Sequence, residues 1–145
     1  MIGVVIATHA MLGQGIINAV ELIAGRQTNV IAIGLEHGDS IDEFEAKVYA
    51  GLEELDEGDG VLGFVDFFGG TPSNVMMRCM QKKKFTCITG ANMPMLIEAL
   101  TNRDGCTLEA LEHLCLEAGR ESVLKLEDVY RDVHKQGLKE EPEDF

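Results

Sequence analysis

The sequence is poor in cations: 12 Lys and Arg residues stand against 25 Asp and Glu residues among 145, a formal net charge of −13. Nucleic-acid binding needs cations that neutralise phosphates, so this balance argues against a nucleic-acid partner. A strongly acidic chain suits the cytoplasm, or contact with basic protein partners. The length fits one domain with a full hydrophobic core.

Several other signals are missing from the sequence. No apolar run is as long as a membrane span, and the first residues lack the basic region and cleavage site of a signal peptide. No Walker sequence is present, and Gly13-Gln14-Gly15 does not complete a dinucleotide fingerprint. The cysteines form neither a Cys-x-x-Cys pair nor a zinc-like spacing, so we interpret as reduced, buried thiols Cys79, Cys87, Cys106 and Cys115. We therefore expect no metal and no cofactor.

What is present alternates between strand and helix patterns. Short apolar runs predict strands at 2–8, 30–34, 61–66 and 85–89. Helical spacing predicts helices at 12–24 with a stop at Gly25, at 41–55 after a cap at Asp39 or Ser40, at 72–81 after a cap at Thr71, and in a short segment ending at 100. A last helical stretch begins near Thr107 and is broken or bent at Gly119 before 123–133.

The alternation predicts an α/β fold: a three-layer sandwich with a mainly parallel central sheet and helices on both faces. With the strand order 2-1-3-4, strands one and three are neighbours, and a crevice opens between the loops that follow them. We predict one domain over residues 1–136 and a disordered acidic tail at 137–145.

Two polar residues end neighbouring strands of this predicted sheet, His9 after the first and Asp66 after the third. Chemistry in open α/β sheets gathers at the carboxyl ends of strands. A carboxylate that binds one imidazole nitrogen fixes the tautomer and leaves the other nitrogen as a nucleophile. The pair therefore predicts phosphate chemistry on His9, although a histidine that merely ends a strand is the plainer alternative.

A glycine-rich turn follows Asp66 and opens a helix. Gly69 and Gly70 allow backbone amides to approach a ligand, and a helix N-terminus favours an anion. Hydroxyls of Thr71 or Ser73 can donate to a phosphate oxygen. The same residues would also serve simple turn formation and helix capping.

A second loop, Gly90-Ala91-Asn92-Met93-Pro94-Met95, follows strand four at the same sheet edge. Flexible methionines adapt to varied surfaces. We expect Phe68, Asn92 and Met93 to line the site or to contact a partner. The other histidines have no matching partner residues, and we interpret as surface or structural His37, His113 and His134.

The combination of the strand-end His9, the segment Asp66-Phe67-Phe68-Gly69-Gly70-Thr71-Pro72 and the loop at 90–95 resembles the IIA component of the mannose-class (mannose/fructose/sorbose) sugar phosphotransferase system. The resemblance covers residues 1–125, including Glu117-Ala118-Gly119-Arg120-Glu121. Residues 1–136 would then form a mannose-type IIA domain.

The resemblance implies a phosphotransferase component that works through a phosphohistidine during sugar uptake. His9 would accept phosphate from the phosphocarrier HPr and pass it to a histidine of the IIB component, with Asp66 orienting the ring and Thr71 contacting the phosphate. It also implies a cytoplasmic homodimer, linked indirectly to the membrane components IIC and IID.

Two departures from the family pattern stand out. Relatives often carry Gly after the histidine, where this chain has Ala10. Some relatives fuse IIB behind a Pro/Ala-rich linker, whereas this sequence ends in acidic residues, so we expect IIB to be a separate protein.

Three alternatives remain at this point. A dihydroxyacetone kinase phosphotransfer subunit also uses a strand-one histidine, but the Gly-Gly-Thr-Pro turn argues against it. A receiver-like signalling module would be phosphorylated on Asp66, but needs an acidic pair where His9-Ala10 stand. A flavodoxin-like binding module needs a ligand loop that we do not identify. The sequence does not identify the sugar.

Overall fold

A computed structural model of the chain describes residues 1–135. The strands are β1 (Gly3–His9), β2 (Val30–Leu35), β3 (Val61–Val65) and β4 (Thr86–Ile88). The helices are α1 (Leu12–Ala24), α2 (Ile41–Glu54), α3 (Thr71–Cys79), α4 (Met93–Asn102), α5 (Leu108–Glu121) and α6 (Leu126–Lys135). Within the described residues, no helix is long and apolar enough to cross a bilayer. The predicted boundary at 136 and the predicted tail at 137–145 lie outside the described residues.

The strands form one parallel sheet in the order β2-β1-β3-β4, which confirms the predicted α/β architecture. Side chains along β1 alternate between the two faces. Val4 and Ile6 join a core with residues of α1, α4 and α5, whereas Val5 and Ala7 join a core with residues of α2 and α3. Because helices cover both faces, the inner strands are continuous apolar runs and not alternating ones.

Several helix ends differ from the predicted ones: α3 ends at Cys79 and not at 81, α4 ends at Asn102 and not at 100, and α6 spans Leu126–Lys135 and not 123–133. The cap of α3 is Gly70 and not Thr71, so Thr71 and Pro72 are its first helical residues. The last helical stretch is interrupted as predicted, but at 122–125 between α5 and α6 and not at Gly119. Gly119 lies inside α5 and is buried where a Cβ atom would collide with the Met95 side chain, so this glycine serves close packing and does not end the helix.

Elsewhere the helix ends follow the predicted chemistry. Ser40 accepts a hydrogen bond from Glu43 N at 3.3 Å, and Thr107 accepts one from Ala110 N at 3.1 Å. Both hydroxyls satisfy amides that the first turn of a helix leaves free. The α1 stop at Gly25 is also as predicted.

The amino-terminal edge of the sheet is closed by Arg103, whose exposed fraction is 3%. Its Nη1 donates to Asn29 O at 2.9 Å and Ile2 O at 3.3 Å, and its Nη2 donates to Thr28 O. Burial lowers the pKa of the guanidinium. An arginine nevertheless stays charged in proteins, so its hydrogen bonds to carbonyls supply what water would otherwise provide.

Candidate functional site

His9 and Asp66 meet at the carboxyl-terminal edge of the sheet. The parallel register of β1 and β3 pairs Ala7 with Val65, so the residues that follow emerge side by side. Asp66 Oδ2 lies 2.7 Å from His9 Nδ1 and accepts a second hydrogen bond from His9 N at 2.9 Å. One carboxylate oxygen therefore holds both the backbone and the ring of the same histidine.

The electrostatics of this pair favour an ionised carboxylate. Burial by itself raises the pKa of Asp66, but hydrogen bonds from the His9 backbone, the His9 ring and Phe67 N together lower the pKa below its ordinary value. A carboxylate only accepts, so Nδ1 of a neutral His9 carries the proton and Nε2 keeps its lone pair. The His9 side chain is 44% exposed and that of Asp66 is 9% exposed, which leaves the ring accessible.

The turn after Asp66 brings the start of α3 next to the free nitrogen. Gly69 has φ +100°, a conformation that glycine adopts at little cost. A Cβ atom on Gly70 would lie 3.3 Å from His9 Nε2, so the helix begins directly beside this atom. Free amides and the helix dipole make such a position favourable for an anion.

The two candidate hydroxyls of the turn differ in access. Thr71 is half-buried, and no side-chain hydrogen bond caps α3 within the described part of the chain. Its hydroxyl is therefore not used for capping. Ser73 is only 3% exposed, which makes it the weaker candidate for a phosphate contact.

The loop after His9 has an unusual backbone. Ala10 has φ +50°, a left-handed conformation that costs an L-residue energy. Ala10 N donates to Leu35 O at 2.9 Å, and the Ala10 carbonyl packs so closely on Gly34 that a Cβ atom there would collide with it. Thr8 Oγ1 accepts from Gly13 N at 3.0 Å, so the loop is held at both ends.

Exposed apolar side chains stand next to the pair in the chain. Met11 and Leu12 follow His9 and are 64% and 50% exposed; Phe67 and Phe68 follow Asp66 and are 52% and 71% exposed. Sequence reasoning missed Met11, Leu12 and Phe67. The available signal was large apolar residues placed in loops at the edge where chemistry was predicted.

The loop after β4 reaches the same edge, since Ala91 N donates to Val65 O at 3.0 Å. Asn92 Oδ1 accepts from Met95 N at 3.1 Å, and Asn92 Nδ2 donates to Gly119 O at 3.3 Å. Met93, the first residue of α4, is partly buried and packs against the core that α4 and α5 help to form. These contacts account for both residues structurally, and their role in binding stays a prediction.

None of the other histidines, all of which lie within the described residues, pairs with Asp66: His37 is exposed in the loop after β2, and His113 and His134 lie on α5 and α6. His113 Nε2 lies 3.2 Å from Glu117 Oε1 on the surface of α5, and His134 packs against Tyr130 in α6. Burial raises the pKa of the Cys87 and Cys115 thiols to about 12, so both are poor nucleophiles at neutral pH. Among residues 1–135 there is no group of three or more His, Cys, Asp or Glu side chains that could hold a metal ion.

Comparison with known proteins defines the class of this fold and site. The family model EIIA-man, described as "PTS system fructose IIA component", matches residues 3–115. The chain belongs to this family, and it is therefore a IIA component of the mannose/fructose class of the phosphotransferase system.

Individual relatives agree with that assignment. The chain is 36% identical over 127 residues to the mannose-specific EIIAB component of Escherichia coli K12, which matches 86% of this chain but only 39% of that protein's length. It is 30% identical over 112 residues to the fructose-specific EIIA component of Bacillus subtilis 168, covering 77% of each. The crystal structure of EIIA from Streptococcus agalactiae has a TM-score of 0.81 at 26% identity, covering 88% of this chain and 99% of that one.

Proposed function

We propose that this chain accepts a phosphoryl group from phospho-HPr on His9 and passes it to a histidine of a separate IIB component during sugar uptake. The observation that carries this proposal is the orientation of the ring. Asp66 binds Nδ1, which leaves Nε2 half-exposed beside the N-terminus of α3. A nucleophile and an anion site thus meet at one atom.

In the first step, the Nε2 lone pair attacks phosphorus. The new N–P bond forms while the bond from phosphorus to the HPr donor atom breaks, and that electron pair returns to HPr. The Nδ1 proton stays on His9, where the hydrogen bond to Asp66 stabilises the positive charge that develops on the ring. In the second step, a IIB nitrogen attacks phosphorus and the pair of electrons returns to Nε2.

The turn stabilises the phosphoryl oxygens in both steps. We assign this role to the amides at Gly69 and Gly70 and the Thr71 hydroxyl, with Ser73 as the less accessible donor. Phe68, Asn92 and Met93 are proposed to contribute to the rim that a partner meets.

Two partners must reach the same atom in succession, and the surroundings of His9 suit that requirement. The exposed side chains of Met11, Leu12, Phe67 and Phe68 offer apolar area for docking. The net charge of −13 favours association with basic surfaces. We accordingly propose a cytoplasmic protein that meets HPr and IIB directly and the membrane components IIC and IID indirectly.

We also propose a homodimer whose interface lies away from His9. Helix α6 has no buried residue among those described, and Leu126, Val129 and Tyr130 share one helical face while being 78%, 37% and 60% exposed. A second copy of the chain can cover this face within an interface of more than roughly 1,000 Å². Sedimentation equilibrium should give a dimer, and Leu126→Glu/Tyr130→Glu a monomer. A wild-type monomer at micromolar concentration would contradict the proposal.

The direct experiment is phosphate transfer from purified phospho-HPr. The wild-type chain should acquire one acid-labile phosphate at His9, and His9→Ala should acquire none while keeping its circular dichroism spectrum. His113→Ala is the matched control, because His113 also faces a carboxylate but lies far from the turn, and it should label normally. Full labelling of His9→Ala, including labelling on Asp66, would refute the proposal.

The same assay tests whether a metal takes part. Because amides, a hydroxyl and a helix dipole supply the anion site, transfer from purified phospho-HPr should be unchanged by excess chelator. A rate that falls on chelation and recovers with magnesium would show that the site needs a cation.

A further inference from the structure

A feature of the site that Asp66 does not explain is the aromatic ring on the face of His9. The His9 and Phe67 ring centroids are 5.3 Å apart with an interplanar angle of 20°, which is a stacked arrangement. Phe67 is nevertheless 52% exposed, so burial of its own surface accounts poorly for this position.

The carboxylate that holds His9 also holds Phe67. Asp66 Oδ1 accepts a hydrogen bond from Phe67 N at 3.0 Å, while Oδ2 accepts from His9. The two oxygens of one side chain therefore hold the backbone amide of Phe67 and both the backbone amide and the ring of His9. The two stacked rings thus belong to residues that one carboxylate links.

Gly70 lies against the rings of both His9 and Phe67. A Cβ atom there would lie 2.8 Å from His9 Cε1, closer than real Cβ atoms come, and 3.1 Å from Phe67 Cζ, which is also tight. Yet Gly70 has φ −88° and ψ 175°, an extended backbone that any residue adopts. Space and not conformation therefore requires glycine at this position.

We propose that Phe67 is a positioning residue for phosphoryl transfer, and that its ring, together with the space left by Gly70, holds the His9 imidazole in the plane in which Nε2 meets phosphorus. The inference rests on the proposed function of His9. A rigid ring needs no reorganisation when a partner docks, and misplacement of a reacting atom is costly in rate. Aromatic stacking supplies a modest, geometry-specific attraction.

The competing explanation is that Phe67 only provides apolar area to a partner. The two roles separate in the kinetics, because docking area acts on KM whereas orientation of the nucleophile acts on kcat. Phe68 is the matched control, since it is adjacent in the chain and 71% exposed.

The experiment measures kcat and the KM for phospho-HPr in transfer through Phe67→Leu, Phe67→Tyr and Phe68→Leu to an excess of IIB, which takes the phosphoryl group from His9 and allows turnover. Leucine keeps apolar bulk but has no π face, so Phe67→Leu should lower kcat by about 3–10-fold with KM unchanged, the scale of a lost aromatic pair. Phe67→Tyr should retain kcat, and Phe68→Leu should affect KM alone. Gly70→Ala should lower kcat by up to about 100-fold through displacement of the ring.

NMR of the unphosphorylated chain tests the contact independently of transfer. In the wild type, the His9 ring protons should show upfield ring-current shifts that are lost in Phe67→Leu and kept in Phe67→Tyr and Phe68→Leu. An unchanged kcat in Phe67→Leu, or a change in KM alone, would overturn the inference while wild-type transfer still supports the proposed function. A wild-type chain that takes no phosphate would refute both.

Discussion

Each of the two edges of the sheet is organised by one polar side chain, and the two edges differ in how much solvent reaches the group that is held there. At the amino-terminal edge, Arg103 is 3% exposed and donates to the carbonyls of three residues, so the charge is enclosed and fully engaged. At the carboxyl-terminal edge, Asp66 accepts from the His9 backbone amide and from one ring nitrogen, and it leaves the His9 side chain 44% exposed. The amino-terminal edge therefore shields its charged group from solvent, whereas the carboxyl-terminal edge leaves the imidazole accessible.

A similar contrast separates the two non-glycine residues with positive φ in residues 1–135. Asn29, at the amino-terminal edge with φ +53°, uses its side chain to donate to Leu55 O at 3.1 Å. Ala10, at the carboxyl-terminal edge with φ +50°, has no side-chain polar group to offset the strain. Side-chain hydrogen bonds thus offset the backbone strain at Asn29, whereas no side-chain hydrogen bond offsets it at Ala10 beside the candidate site. Backbone strain of this kind is common at functional sites.

The largest effect on stability should come from Arg103→Leu. It removes charged donors from buried carbonyls, and we expect the free energy of unfolding to fall by at least about 3 kcal/mol, since each such hydrogen bond is worth roughly 1.5–3 kcal/mol. Urea denaturation measures this loss. The phosphate-transfer rate of the folded variant should equal that of the wild type.

Arg131→Leu is the control for that change, because the Arg131 side chain is 68% exposed and pairs with Asp128 on the surface. Its effect should stay within about 0.5 kcal/mol. Equal stabilities of the two variants, or slow transfer in folded Arg103→Leu, would show that the edges are not separable in this way.

The next effect concerns rate and comes from Asp66→Asn. An amide can still hydrogen-bond but no longer stabilises positive charge on the ring, so we expect transfer to slow about 10–100-fold, by analogy with residues that orient metal-bound histidines. Asp39→Asn is the control, since Asp39 lies in another loop of this edge, where its Oδ2 accepts a hydrogen bond from Glu36 N at 2.8 Å. Unchanged rates in both Asp66→Asn and Asp66→Ala would remove Asp66 from the mechanism.

The same carboxylate gives a pH dependence of stability. The pKa of Asp66 is lower in the folded chain than its ordinary value of 3.8, so its contribution is fully present above that value and is lost as the pH falls through the lower folded pKa. The stability difference between the wild type and Asp66→Asn should therefore shrink in acid below about pH 4.

The smallest effect should distinguish the two positive-φ residues. Ala10→Gly relieves a left-handed conformation at the cost of a more flexible unfolded chain, and the net gain should be up to about 1 kcal/mol. Asn29→Gly relieves less strain and loses side-chain hydrogen bonds, so it should destabilise. Thermal unfolding measures the stability of both variants. If both variants were more stable than the wild type, or both less stable, the idea of uncompensated strain at Ala10 would be contradicted.

Much of the functional edge could be predicted because short-range patterns carry it. The apolar run that ends in His9, the run that ends before Asp66 and the glycine turn each specify one element, and the alternation of strands and helices predicts a parallel sheet, for which the order 2-1-3-4 is the chosen prediction. The sheet order is confirmed, and the sequence reasoning that placed His9 and Asp66 together agrees with their 2.7 Å contact.

The contacts at the amino-terminal edge could not be predicted, because they join segments that are far apart in the sequence. Arg103 meets the carbonyl of Ile2 across 101 residues of sequence, and nothing local marks a surface-type residue as buried. Gly119 misled for the same reason: its partner is the Met95 side chain of α4, a contact that appears only when the helices pack. Tertiary packing overrode local propensity at both positions.

The hydrogen bonds from His9 N and Nδ1 to one Asp66 oxygen also tie chemical competence to folding. The two residues are 57 positions apart, so the oriented ring exists only after β1 has paired with β3, a non-local step that closes late in a parallel sheet. Transfer rate should then follow the native fraction through a urea titration, without a partly unfolded species that retains activity. A nascent or damaged chain that has not completed this pairing would then accept no phosphate.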